Sequence, residues 1–484
     1  METNVLYYGD NLRFLRNRTY FPDESVDLIY LDPPFNSKKE YNVIFREATG
    51  TLPAAQLRAF SDSWTWDETT NATYQDIIQN APLEVSKLTA ALHDALGRTD
   101  VTAYMVMMTP RLVELHRVLK KTGSIYLHCD PAAGHYLKIV MDRIFGAGRF
   151  RREISWRSGW VSGFKTRTTN WVRNHDILLY YVKGGDFTFN KERAYFPHPK
   201  GYRRRGGGEN PRGVAMDDVW TDIYSPWIMS FSKEKKGYRT QKPLKLLERI
   251  IEVSSNRGDV VLDPFCGCGT ALHAAHRLGR RWIGIDITHL AISVIRNELT
   301  AAFPGMGLKV VGEPVDLESA RALHRHDPLQ FQWWAVGVVR GRPVDEEMRK
   351  KGADKGVDGE LLFVDNHQGG VKRVIVSVKG GATGARDVRD LRGVCDRENA
   401  LGLFLTLQQP TGPMLREAAQ AGLHHCDLYD ADYPRLQVVT IEALVEHKDD
   451  IRSIVRLPPS ALGLEAPPVD RVVVEQAEME LPGP

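Results

Sequence analysis

The stretch Gly258–Ile287, GDVVLDPFCGCGTALHAAHRLGRRWIGIDI, decides the fold. A short β-branched run from Val260 to Asp263 ends at a turn, Pro264 to Gly269, and a helix opens at Thr270. A second β-rich run then closes on Asp286. Strand, turn, helix and strand in this order make one piece of a parallel sheet covered by helices. Gly267 and Gly269 let the backbone reach positive φ and approach a ligand closely. An acid at the end of the second strand can accept hydrogen bonds from both hydroxyls of a ribose. A nucleoside cofactor without phosphates fits this pattern. The dinucleotide fingerprint does not, because Leu272 stands where its third glycine belongs, and no GxxxxGK[ST] loop is present to cradle phosphates. A plain strand-to-helix turn is the better reading of a lone GxG. Asp263, two glycines, Thr270 and the strand acid together displace it.

Outward from this stretch, the same alternation runs from Met1 to about Phe303. Strands are expected at VDLIYLD, GSIYLHCD and HDILLYYVK, and helices at AYMVMMTPRLVELHRVLKK, GHYLKIVMDRIFG and KPLKLLERIIEVSS. Pro110 predicts a kink or a late start in the first of these helices. Residues 186–240, with HPKGYRRRGGGENPRG, break the pattern and read as a long basic loop suited to recognition. Residues 304–327 read as a linker with a short helix. Residues 328–455 form a second α/β unit, and 456–484 a Pro-rich tail, extended or disordered.

The chain has 484 residues, 42% of them hydrophobic and 26% charged, an ordinary globular mix. A net charge of +3 does not by itself announce a nucleic-acid partner. The five cysteines are scattered, which argues against a disulfide framework and for a cytoplasmic protein. Cys266 and Cys268 are too close for the usual zinc pair. The N-terminus, METNVLYYGDN, lacks the pattern of a signal peptide, and no apolar run approaches the roughly 18 residues of a membrane span.

A second loop carries chemistry. VDLIYLDPPFN ends an apolar strand in Asp32-Pro33-Pro34-Phe35. Alone it is as readily a strand-ending turn. With DPFCGCGT in the same chain, the sequence resembles the DNA amino-methyltransferases that use S-adenosylmethionine. The DPPF loop precedes the glycine loop, which is the permuted order of that family's β group. YGDNL, GSIYLHCD, GYRTQKPLKLLERII and the place of the basic loop also match. The resemblance covers about Met1 to Phe303, with Cys268 where many members have Ser.

The resemblance implies a Rossmann-like methyltransferase sheet in an α/β fold. It implies that Asp263, Phe265, Gly267, Gly269, Thr270 and Asp286 hold the cofactor. It implies double-stranded DNA as partner, with the target base turned out of the duplex. The amine of a base is a poor nucleophile, because its lone pair is conjugated into the ring. Asp32 and the carbonyl of Pro33 can accept its two hydrogens, Phe35 can stack on the ring, and Pro33 and Pro34 stiffen the turn. Asp before the prolines favours N6 of adenine, with N4 of cytosine open. Methylation of RNA or of a protein amide is the weaker alternative. Carbon-5 methylation of cytosine needs a nucleophilic cysteine after a proline, and no cysteine follows one here.

In the second unit, Asp358 near the start of one strand and Lys379 at the end of the next resemble a PD-(D/E)xK core of the Mrr restriction-endonuclease type. That implies Mg²⁺ on Asp358 and a water-orienting Lys379. Two departures count against it: Ser377 and Gln332 stand where acids are usual, and Glu360 is left to compensate. A gated nuclease, an inactive DNA-binding fold and a simple Asp–Lys pair all stay open, and a homodimer is allowed. Arg149, Arg151, Arg152 and Arg203 to Arg205 are candidate phosphate contacts. Trp156, Trp160 and Trp171 are candidates for stacking on bases or for packing in the core.

Overall fold

The computed structural model describes residues 1–34, 66–159, 169–198, 212–225, 241–343, 356–447 and 450–462. The chain divides into two compact units, Met1–Glu313 and Pro314–Pro484.

The first unit carries strands β1 (Val5–Tyr8), β2 (Val26–Leu31), β3 (Leu119–Cys129), β4 (Phe150–Arg157), β5 (His175–Val182), β6 (Tyr195–Phe196), β7 (Val214–Ala215), β8 (Val219–Trp220), β9 (Val260–Asp263), β10 (Arg281–Asp286) and β11 (Lys309–Val311). Nine of them form one sheet in the order β11-β1-β10-β9-β2-β3-β5-β4-β8. From β11 to β3 all neighbours are parallel; β5 runs antiparallel to both β3 and β4. The central strands are largely apolar because both faces are covered. Ile29, Leu31, Ile125, Leu127 and Leu262 join one core, with residues of the helices Asp100–Val118 and Pro131–Met141. Leu28, Tyr30, Tyr126 and Val261 join the other, with the helices Leu244–Ser254 and Thr270–Arg277. Neighbouring residues of each strand thus serve opposite faces.

Order reverses between β9 and β2. The chain leaves β9 towards β10 on one side and β2 towards β3 on the other. Such a switch point opens a crevice at the carboxyl ends of the strands, and ligands of open α/β sheets bind there. Asp263 ends β9 and Asp32 immediately follows β2.

Several expectations are corrected. Residues 304–327 hold the expected short helix, Leu317–His326 with Asp316 capping it, and also an edge strand, β11, that pairs with β1. The helix that carries Pro110 does not start late: it begins at Asp100, where the Thr99 side chain caps it, and continues past the buried proline. The tail begins inside the fold, because Leu457, Ala461 and Leu462 are buried in the second core; residues 463–484 lie outside the described residues. Within the expected recognition loop, β6 pairs with β7 and β8 extends the main sheet. Arg203 to Arg205 and Trp160 lie outside the described residues.

The second unit adds β12 (Arg342–Pro343), β13 (Gly359–Val364), β14 (Val371–Lys379), β15 (Leu401–Thr406), β16 (Leu423–Cys426), β17 (Ala431–Pro434) and β18 (Leu436–Thr440). Its sheet has the order β12-β13-β14-β15-β18. The first three strands are antiparallel and the last three parallel. Helix Ala385–Glu398 makes the crossover from β14 to β15, and β16 and β17 form a separate hairpin.

Candidate functional site

The glycine loop is held from three sides. Gly267 and Gly269 both have positive φ, +48° and +76°. A Cβ at Gly269 would lie 2.8 Å from Ile295, so only glycine lets the loop pack on the helix His289–Ala302. A Cβ at Gly267 would meet nothing within 4 Å, which leaves that face of the loop open to a ligand. The Gly269 N–H donates to the Cys266 carbonyl at 2.7 Å, closing the turn.

Asp286 braces the same loop. Its Oδ2 accepts the Gly267 N–H at 2.9 Å, and its Oδ1 accepts the N–H and the hydroxyl of Thr288, each at 2.9 Å. A carboxylate has about four acceptor positions. The Gly267 and Thr288 donors, with the Ile287 backbone beside them, take up much of that capacity. Burial pushes the Asp286 carboxyl up from 3.8 to about 6, against the pull of these hydrogen bonds. Asp263 is 3% exposed and its Oδ1 accepts the Phe265 N–H at 3.1 Å. Burial, with Asp32 and Asp286 nearby, holds its carboxyl well above the usual carboxylate range.

A strut from the N-terminal motif completes the loop. Asn11 Nδ2 donates to the Pro264 carbonyl at 2.7 Å, across 253 residues of chain. Arg111 Nε donates to Asn11 Oδ1 at 2.7 Å, and its other nitrogens reach Asp10 Oδ1 and the Met107 carbonyl, each at 2.8 Å. The GDN that follows β1 therefore fixes the DPF at the end of β9. The signal was present in YGDNL, but its partner could not be read locally.

On the other side of the switch point, Asp32 Oδ2 accepts from Lys242 Nζ at 2.7 Å. The two side chains are 20% and 13% exposed. Behind them Tyr30 OH meets His128 Nδ1 at 3.0 Å, and His128 Nε2 lies 3.5 Å from Asp176. Burial and the nearby Lys242 lower the His128 pKa. Burial opposes ionisation of Asp176, yet His128, Lys242 and Arg173 hold its carboxyl below the usual range. Arg173 also reaches Asp130 at 3.1 Å. Asp32, Pro33 and Pro34 thus stand at the strand end beside Asp263; Phe35 lies outside the described residues. Lys242, Asn11 and Arg111 are site neighbours that sequence reasoning passed over, although the first lies in the quoted GYRTQKPLK.

The aromatic and basic candidates separate. Trp156 is 2% exposed and donates to the Ile223 carbonyl, so it belongs to the core; Trp171 is 96% exposed. Trp171 lies four residues before β5, whose first residues face the carboxyl end of β3. Arg151 and Arg152 sit at the start of β4, level with Tyr180 and Tyr181. Tyr180 is level with Tyr126 and Tyr126 with Tyr30, so Arg152 lies about 7 Å from the level of Asp32 along the strands and three strands across the sheet.

In the second unit, Asp358 is 3% exposed, and its Oδ2 accepts the Val378 N–H at 2.6 Å and the Ser377 hydroxyl at 3.4 Å. Glu360 pairs with Arg373 at 2.7 Å. Among the described residues, no three His, Cys, Asp or Glu side chains converge on a point that could hold a metal ion.

A DNA methylase family model matches residues 26–297. The type II methyltransferase M.BamHI of Bacillus amyloliquefaciens is 31% identical over 300 residues, covering 59% of this chain and 55% of that protein. This chain thus spans about half the length of that relative. M.HpaI of Haemophilus parainfluenzae, another type II methyltransferase, is 34% identical over 58% of this chain and 71% of that protein. The DNA adenine methyltransferase YhdJ of Escherichia coli is 27% identical over 62% of this chain and 84% of that protein.

Proposed function

This chain belongs to the N6/N4 DNA methylase family, and from that premise we propose that it transfers a methyl group from S-adenosylmethionine to N6 of adenine in double-stranded DNA. The observation that carries the reading is the meeting of two loops at one switch point. Asp32 follows β2, Asp263 ends β9, and these strands are neighbours. The residues fit the cofactor: a glycine loop with one open face and a braced strand-end carboxylate. When bound, S-adenosylmethionine supplies an activated methyl group on a positively charged sulfur.

The chain's own residues do the rest. Asp263, Phe265, Gly267, Gly269 and Thr270 would hold the methionine part, and Asp286 would receive the ribose hydroxyls. Asp32 and the Pro33 carbonyl accept the two amine hydrogens, which draws the nitrogen lone pair out of conjugation and aims it at the methyl group. Pro33 and Pro34 keep those acceptors in place, since orientation is worth several kcal/mol, on the order of 7–11 at best. Phe35 stacks on the turned-out base, and Trp171 stacks on DNA at the rim. Asp before the prolines and the adenine-directed relative from E. coli support adenine. For the second unit, the reading is a DNA-binding fold coupled to restriction. Asp358 and Lys379 are its candidates for Mg²⁺-dependent cleavage. The primary test is methyl transfer to duplex DNA by the full chain, lost in Asp32→Ala.

A further inference from the structure

We propose that Lys242 is a positioning residue for methyl transfer: its ammonium pins one carboxylate oxygen of Asp32, so that the other faces the incoming amine. The inference rests on the reading of Asp32 as the amine acceptor. Three features of the pair carry it.

The first is geometry. The Nζ–Oδ2 distance is 2.7 Å, and both side chains are mostly withdrawn from solvent. An ion pair so placed is weakly screened by salt. The second is anchorage. Lys242 precedes Pro243, which opens the helix Leu244–Ser254, and Leu246, Leu247, Ile250 and Ile251 of that helix are buried in the core shared with β2 and β9. The ammonium is therefore mounted on a fixed element. Lysine has donors and no acceptor, so it can hold Asp32 but cannot itself take an amine hydrogen.

The third feature is charge. Asp32 shares the crevice with Asp263, Asp286 and Asp176, and with Tyr30, His128 and Cys268. Lys242 is the cation that acts on Asp263, Asp176 and His128 alike. Without it, Asp32 loses the contact that fixes which of its oxygens faces the amine. A displacement of about 1 Å at such a contact can cost about 10²-fold in rate.

The test is a double-mutant cycle on the full chain with Lys242→Met, Asp32→Asn and the two combined. Each protein is assayed for melting temperature, S-adenosylmethionine affinity by calorimetry, and single-turnover methylation at saturating cofactor. Lys242→Met is expected to lower the single-turnover rate about 10²-fold with cofactor affinity within about threefold. Lys242→Arg, which keeps the charge, should recover about tenfold of that loss. The melting shifts of the two single variants should be non-additive, because both remove one ion pair. Additive melting shifts overturn the pairing even if no variant transfers a methyl group. A wild-type chain that transfers none, with non-additive melting, defeats the methyltransferase reading and leaves the pair standing. Weakened cofactor affinity with a normal rate at saturation makes Lys242 a cofactor ligand and overturns the proposal. An unchanged rate in Lys242→Met does so as well.

Discussion

Asn11→Ala removes the strut between β1 and the cofactor loop. Two buried hydrogen bonds are lost, each 2.7 Å long: Asn11 Nδ2 to the Pro264 carbonyl and Arg111 Nε to Asn11 Oδ1. Asn11 is 5% and Arg111 7% exposed, so water cannot readily replace either bond. A neutral bond contributes about 1 kcal/mol and one to a charged group about 1.5–3 kcal/mol. Arg111 keeps Asp10 and the Met107 carbonyl, so its charge is not abandoned. The expected loss is about 2.5–4 kcal/mol, a large share of the roughly 5–15 kcal/mol typical of a domain. Released from its strut, the Pro264 turn should also bind S-adenosylmethionine about tenfold more weakly, or about 1.4 kcal/mol. Urea unfolding reads the first quantity and calorimetry the second. Asn11→Asp is the contrast, since it keeps an acceptor for Arg111 but sets a carboxylate oxygen against the Pro264 carbonyl, and it should not restore the strut. A loss below about 0.5 kcal/mol, the range of an ordinary surface change, together with unchanged cofactor affinity, refutes the strut.

Three other consequences can be checked. The Asp286 carboxyl is raised from 3.8 to about 6 in the fold, so its contribution to stability is greatest below about pH 4, falls as pH rises to about 6, and is level above that. Cofactor affinity moves the other way, weakening by up to about tenfold per pH unit below 6, and Asp286→Asn should flatten both profiles in urea unfolding and calorimetry. Trp171→Ala, at a side chain 96% exposed, should leave stability within about 0.5 kcal/mol and weaken DNA binding by about 1–3 kcal/mol, measured by fluorescence anisotropy; unchanged affinity removes Trp171 from the interface. Any Mg²⁺-dependent nicking of plasmid DNA should disappear in Lys379→Ala, and nicking that survives rejects the role given to that lysine.

What the sequence disclosed and what it concealed follow a physical division. Asp263, Asp286 and Asp32 were legible because each closes an apolar run, and a strand-end acid can be placed from local pattern alone. The glycine loop was legible because positive φ leaves a residue-type signature. The edge strand β11 was hidden in only three residues, Lys309–Val311, whose extended form comes from pairing with β1. The register of β4 is likewise a property of pairing, and it sets Arg152 level with Tyr30, two residues before Asp32. Trp156 and Trp171 looked alike in sequence; burial of one and exposure of the other depend on what packs against them. The Lys242–Asp32 pair spans 210 residues. Nothing near either residue announces the other, although both lie in quoted motifs.

The measurement that bears most directly on the central claim is nucleoside mass spectrometry of duplex DNA incubated with labelled S-adenosylmethionine and the full chain. The account predicts labelled N6-methyladenine with the wild type and none with Asp32→Ala. N4-methylcytosine in its place would keep transfer to an amine and reject the adenine assignment. 5-Methylcytosine, or DNA left unmodified across diverse sequences, would contradict the account.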